Sequence, residues 1–286
     1  MVDKNTKFTI FAIKSKVNKH SKWKYMKYKL LIILSFIIIF FIHYGSQLYT
    51  YYSPAEELSI YQTTQHHDDT LRIAFIGDSW ALGHQYHKCH IPQILTDSIK
   101  HPIRVESFGI GGLTSKEIYN ALFEIEDFRN FMKNGYDYCV ISAGINDTHK
   151  KMSTSYYQNS MECIIRFLLT NHIHPIILEI PDYNILQVYD AQEINKKIIR
   201  RFSMFVNSTR MDCKQPFREA LDEMMRENDY QNEVSIIRYK SWNNNYKKDL
   251  KELYISDQVH LNDIGYTVLD SVISKEIYKH YRYYYH

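Results

Sequence analysis

Four short stretches hold residue types that can carry out acyl transfer. In "IAFIGDSWALG" (73–83) an apolar run breaks into Gly77-Asp78-Ser79, and near the other end of the chain "SDQVH" (256–260) sets Asp257 three residues ahead of His260. Between them "GIGG" (109–112) and "GIND" (144–147) supply Gly112 and Asn146. A serine hydroxyl is a poor nucleophile unless a base lies within hydrogen-bond reach and a third group orients that base. Ser79, His260 and Asp257 are the right types, and a separation of three lets Asp257 and His260 share one side of a single turn at a helix entrance. Acyl transfer also builds negative charge on the former carbonyl oxygen, so hydrogen-bond donors must already face it. The backbone N–H of Gly112, the side-chain amide of Asn146 and the N–H of Ser79 are the candidates. Trp80, beside the serine, and His149, just past Asn146-Asp147, are candidate substrate contacts. This chemistry needs no metal and no organic cofactor.

These residues act together only if the chain folds them to one place. Five short runs rich in β-branched and aromatic residues, each bounded by turn residues, are the candidate strands: 71–77, 103–109, 137–144, 174–180 and 234–239. Helix-like patterns fall between them at about 89–100, 115–132, 155–171, a long region at about 186–228, and a closing helix at about 262–281. Near-continuous apolar strands alternating with helices predict a parallel sheet covered on both faces, a three-layer α/β/α sandwich. In such folds ligands bind beyond the carboxyl ends of the strands. Three of the four reactive groups follow the first three predicted strands directly; the fourth follows the fifth.

In order and context, Gly77-Asp78-Ser79, Gly112, Gly144-Ile145-Asn146-Asp147 and Asp257-Gln258-Val259-His260, continued by "HLNDIGY" (260–266), resemble the four blocks of the SGNH, or GDSL-like, hydrolase family. The resemblance spans 71 to about 280. It implies a flavodoxin-like sandwich with Ser79 as nucleophile, Gly112 and Asn146 in the oxyanion hole, and Asp257 and His260 completing a triad. Trp80 departs from the leucine common in that family. Asp78 and Asp147 read as acids that order their loops. His84, His87, His90 and Cys89 read as one exposed helix surface.

The N-terminal region differs in character. Residues 1–29 hold nine lysines and one acid, a net of +8, which leaves the rest of the chain at −5 against a total of +3. A −5 body argues against a nucleic-acid groove. Leu30 to Ile42 follows with no charge and continues into a weakly apolar stretch flanked by tyrosines. The expected organisation is a basic cytoplasmic tail (1–29), a transmembrane signal anchor (30–50), a solvated linker (51–70, including His66, His67, Asp68 and Asp69) and a catalytic domain (71–286). Lysines on the N-terminal side orient the catalytic domain toward the periplasm or the cell exterior. Cys89, Cys139, Cys163 and Cys213 show no metal-type spacing. The function expected is a membrane-anchored serine hydrolase that removes an ester, O-acetyl first, from a carbohydrate or envelope glycan. An O-acyltransferase of polysaccharide modification and an idle glycan-binding scaffold are the alternatives. Basic residues Lys196, Lys197, Arg200 and Arg201 mark a segment that could form a lid or acceptor-binding cap, or two ordinary packing helices.

Overall fold

The computed structural model describes residues 4–285, and side chains from Trp23 onward apart from Lys24, Phe41, Tyr246, Tyr284 and Tyr285. The tail lysines up to Lys24 therefore lie outside the described side chains. The chain divides into two compact units, Met1–Ser53 and Pro54–His286. In the first, helix α1 runs Lys4–Tyr52, and its stretch Tyr25–Tyr52 is long and apolar enough to cross a membrane. That stretch is consistent with a spanning segment and equally with a signal sequence.

The second unit, the body, contains β1 (Leu71–Gly77), α2 (Ser79–Tyr86), α3 (Ile91–Thr96), β2 (Ile103–Gly109), α4 (Ser115–Glu124), α5 (Glu126–Lys133), β3 (Tyr138–Ser142) and α6 (Ile145–Lys150). There follow α7 (Thr154–Thr170), β4 (His174–Leu178), α8 (Ile185–Asp190), α9 (Ile194–Val206), α10 (Lys214–Glu227), β5 (Ser235–Ile237), α11 (Tyr246–Glu252) and α12 (Asp263–Tyr285). All five strands are parallel, in the order β2-β1-β3-β4-β5. This is the doubly wound flavodoxin-like order, flanked by helices. The central strands β1 and β3 are buried along almost their whole length, as a sheet covered on both faces requires. α7 packs with α4 and α10, and α12 with α3 and β5.

The register sets up the site. Gly77 pairs with Gly109 on one side and with Ser142 on the other, so β1, β2 and β3 end level and their loops emerge together. Gly77 has φ +142°, and a Cβ there would lie 2.0 Å from the Ser142 carbonyl oxygen. Only glycine lets the strand turn this sharply against its neighbour.

The structure corrects four local expectations. The helix expected at 115–132 breaks at Ile125, whose backbone is extended between α4 and α5. The helix expected at about 89–100 is the shorter α3, opened by Pro92. The region 186–228 forms three helices, α8, α9 and α10. The linker is not free: from Pro54 onward it is strapped to the body, although residues 56–59 and 67–69 remain exposed. The N–H groups of Ala55, Leu58 and Thr63 donate to Ser160 Oγ (3.1 Å), Tyr119 OH (2.9 Å) and Asn171 Oδ1 (2.7 Å). The Tyr61 hydroxyl donates to the Leu122 carbonyl, with its ring against Phe123 and Phe167. His66, expected in solvent, sits 3.2 Å from Asp137.

Candidate active site

β1 ends at the Gly77 turn, and Asp78 caps the helix that follows. Its Oδ1 accepts the Trp80 N–H (3.0 Å) and the Ser142 hydroxyl (2.8 Å), which ties the start of α2 to the end of β3. Ser79 is thus the first residue of a capped helix, held at the sheet's carboxyl edge. Asp78 is fully buried and its Oδ2 has no partner. Burial pushes its carboxyl up to about 6, against the opposing pull of those hydrogen bonds and of His260.

Asp257 and His260 lie in a tight loop rather than at a helix entrance. A bridge between Tyr254 and Leu261 closes that loop, Gln258 adopts a left-handed conformation (φ 59°), and Ile255 N–H donates to the His260 carbonyl. Asp257 Oδ1 accepts the N–H groups of Val259 (2.9 Å) and His260 (3.0 Å), leaving Oδ2 at 2.6 Å from His260 Nδ1. The opposite ring nitrogen, Nε2, is 2.9 Å from Ser79 Oγ. Partial burial raises the Asp257 carboxyl, but the His260 ring and the two N–H donors outweigh it and hold the group below the ordinary carboxylate range. An ionised Asp257 keeps the proton on Nδ1, so Nε2 faces the serine with its lone pair. Asp257, His260 and Ser79 therefore form one continuous chain of hydrogen bonds.

The chain opens into a cavity of about 460 Å³. Gly111, Gly112 and Asn146 form one wall; Ile145, Tyr183, Val188, Ala191 and Val259 supply apolar surface; His149 and Gln187 add polar groups. Gly112 has φ +82° with open space where a Cβ would stand, so glycine is needed there for the turn and not for room. Two adjacent residues of α6 grip this loop. Asn146 Nδ2 donates to the Leu113 carbonyl (3.0 Å), and the Asp147 oxygens accept the Ser115 N–H (2.9 Å) and hydroxyl (2.6 Å). The Asn146 amide has a second hydrogen available to a ligand.

Asp147 is buried, which pushes its carboxyl up to about 6 despite the Ser115 bonds. A raised carboxylate binds its proton more tightly in the native state, so its contribution to stability is complete at acid pH and is lost as pH rises to about 6. Asp147→Asn is thus expected to be most destabilising near pH 4. Its deficit relative to the parent should shrink by about 2 kcal/mol between pH 4 and pH 6.5, as read from paired urea unfolding curves.

His149 lines the cavity beside Gln192, as its position in the sequence suggested. Burial, with Arg200, Lys151 and Lys150 nearby, lowers its imidazole to about 4, so it meets a ligand as a neutral donor or acceptor. Trp80 corrects the expectation of substrate contact. It is 1% exposed and does not line the cavity. Its indole N–H donates to the Val259 carbonyl (3.1 Å) and its ring meets Trp242 and Tyr254 edge-on, so it joins the serine's helix to the histidine's loop.

His84 is likewise buried and not on an exposed face. Its ring bridges Ser107 Oγ (2.7 Å) and Asp270 Oδ1 (2.8 Å), and Asp270 also accepts the His90 N–H, which fastens α2 to β2 and α12. Ligand atoms of His84, Cys89 and Asp270 lie within 4.8 Å of one another, and both ring nitrogens of His84 are engaged by Ser107 and Asp270. All four cysteines are free. The contribution of α8 to the cavity was missed in the sequence, because Gln187, Val188 and Ala191 carry no chemical signature of their own. A second cavity, about 520 Å³, shares Ser79 and His260 with the first and extends past Leu82, Tyr86, Asn262 and Tyr266.

No curated protein matches the chain by sequence. Solved structures of similar fold include the lipase/acylhydrolase of Enterococcus faecalis, at TM-score 0.49 and 16% identity, covering 73% of this chain and 96% of that one. Axe2, an acetylxylan esterase from Geobacillus stearothermophilus, aligns at TM-score 0.49 and 17% identity, covering 72% and 94%. A mutant of Axe2, described as an acetyl-xylooligosaccharide esterase, reaches TM-score 0.50 at 16% identity with the same coverage. At such identities the likeness is one of fold. The sequence itself goes further: residues 75–268, more than half the chain and including the reactive residues of all four stretches, match the GDSL-like lipase/acylhydrolase family. The chain belongs to that family and is a serine esterase.

Proposed function

We propose that the protein is a membrane-anchored esterase that removes a short acyl group, O-acetyl first, from a carbohydrate through an acyl-enzyme on Ser79. The hydrogen-bonded chain from Asp257 through His260 to Ser79, opening on the cavity walled by Gly112 and Asn146, carries this reading. Ser79 Oγ attacks the ester carbonyl as His260 Nε2 takes its proton, and Asp257 stabilises the imidazolium. The oxyanion meets the N–H groups of Gly112 and Ser79 and the free hydrogen of the Asn146 amide. Collapse breaks the bond to the alcohol, which leaves with the proton from His260. A water then repeats the sequence to free the acid. Neutral His149 and Gln187 suit the hydroxyls of a sugar, and the apolar wall suits the acyl methyl. Axe2, which shares the fold, acts on acetylated xylan, and that class of ester is the first substrate to offer.

The second cavity favours one variation. It reaches the same Ser79 and His260, so an acceptor alcohol could approach from there in place of water, which would make the enzyme an O-acyltransferase. The membrane anchor is the stretch Tyr25–Tyr52, with the basic end cytoplasmic.

The test is fluorophosphonate labelling of the full chain read by intact mass, beside Ser79→Ala and His260→Ala, followed by acetate release from acetylated xylo-oligosaccharide with and without an alcohol acceptor. A single adduct lost in both variants, with acetate released, supports the esterase. Acyl appearing on the acceptor faster than acetate in water selects the transferase. Absence of an adduct on folded protein would overturn the proposal. Within the same assay Asn146→Ala is expected to lower kcat by about 10²–10³-fold with little change in KM, because its amide is needed only once the oxyanion forms.

A further inference from the structure

Helix α9 is built inside out. Ile194, Ile198, Phe202, Phe205, Val206 and Ile199 fall within one arc of the helix at 100° per residue, and all six are exposed, Phe205 at 83% and Ile194 at 78%. Ser203, just past the Ile199 edge of that arc, is fully buried, and Met204, farther round, is partly buried. A helix of a soluble domain normally turns its apolar stripe inward. Among the described residues of the body, no other helix exposes more than two large apolar side chains.

The flanking charge identifies what would cover this face. Arg201, exposed, stands at one edge of the apolar arc beside Ile194; Lys196, also exposed, lies past the other edge with Ser203 between it and Ile199; Lys197 and Arg200 lie behind the arc, and Ile194–Val206 contains no acid. An apolar face bordered by cations whose long stems can reach outward is the pattern of a helix that lies in a bilayer interface, with acyl chains under its apolar arc and anionic headgroups beside its cations. A stretch able to cross a membrane ends at Tyr52, immediately before the body begins at Pro54, so insertion of that stretch would keep α9 at high effective concentration near lipid.

We propose that α9 docks the body onto the surface of an anionic phospholipid bilayer. The residues between α8 and α9 also reach the site: Gln192 contacts His149, and α8 lines the cavity. Docking would therefore fix the cap of the catalytic cavity at the membrane surface. The inference does not depend on the esterase reading, and it calls on Tyr25–Tyr52 only for local concentration.

The test is hydrogen–deuterium exchange on the purified full chain, without lipid, with excess phosphatidylcholine vesicles, and with vesicles that also contain phosphatidylglycerol. Peptides covering 194–206 should exchange at least about tenfold more slowly with the anionic vesicles. That protection should disappear in Ile198→Asp/Phe205→Asp and weaken in Lys196→Glu/Arg201→Glu, with circular dichroism confirming that both variants remain folded. Peptides from 25–52 report insertion of the anchor separately, so its failure and that of α9 are distinguishable. Exchange of 194–206 that is indifferent to lipid overturns the proposal. So does protection that appears without lipid and rises with protein concentration, which would assign the face to a second copy of the chain.

Discussion

Ser79→Ala is expected to lower kcat/KM for an acetyl ester by roughly 10⁴-fold or more while leaving the melting temperature essentially unchanged. The two halves of this result have separate physical sources. The loss follows because, in the proposed mechanism, the hydroxyl forms the covalent bond, and no other hydroxyl stands 2.9 Å from His260 Nε2 among the described contacts. The intact fold follows because the start of α2 is capped by the Asp78 carboxylate, with the Ser79 hydroxyl directed at His260. Residual rate above water would come from Gly112 and Asn146, which the substitution does not touch. His260→Ala should cost about as much, and the double variant no more than either single one, because the pair acts as a unit. Steady-state kinetics on an aryl acetate and an acetylated saccharide, with thermal melts of each variant, make the check. A single variant retaining a tenth of parental activity would remove Ser79 from its role.

The second large effect is at Asp257, where the less drastic-looking substitution is expected to do the greater harm. Asp257 uses one oxygen for the Val259 and His260 N–H groups and the other for the His260 ring. Asparagine has a single acceptor oxygen. If that oxygen keeps the two backbone donors, the amide NH₂ faces Nδ1 and forces the ring into the tautomer with its proton on Nε2, where it cannot accept one from Ser79. If the amide flips, the loop loses both backbone bonds. Asp257→Asn is expected to lower kcat by roughly 10⁴-fold with KM nearly constant. Asp257→Ala leaves the tautomer free and should be no worse. A purely structural role for Asp257 predicts the reverse order, with alanine worse and the loss appearing in thermal stability, so kinetics and melts of the two variants separate the readings.

The sequence carried most of what local chemistry dictates. β1 and β2 lie where the change from apolar residues to turn residues placed them; β1, buried on both faces, has a composition that little else shares, and β2, an edge strand only partly buried, was bounded by its turn residues. Ser79, Gly112 and Asn146 could be placed from sequence because each sits just beyond a strand or at a glycine turn, whereas Asp257 and His260 lie in a loop that follows neither. Trp80 was misjudged for a three-dimensional reason: its neighbour Ser79 points into the cavity, while Trp80, one helical step on, points beneath the Val259 loop. His84 was misjudged because its partners, Ser107 and Asp270, lie 23 and 186 positions away. The segment 54–70 lacks any period because its contacts are single hydrogen bonds and one ring packed on scattered partners, a mode of attachment that leaves no repeat to read.

That segment also governs how the body answers to force. Tension arriving along the chain from residue 53 reaches the attachments at Ala55, Leu58, Tyr61 and Thr63 one after another before it can load β1. Bonds loaded singly peel in sequence at low force, whereas the seven registered residue pairs between β1 and β2 must shear together. The strap would thus yield first and lengthen, as a sacrificial slack that keeps Gly77 and Ser79 in register while the protein is pulled.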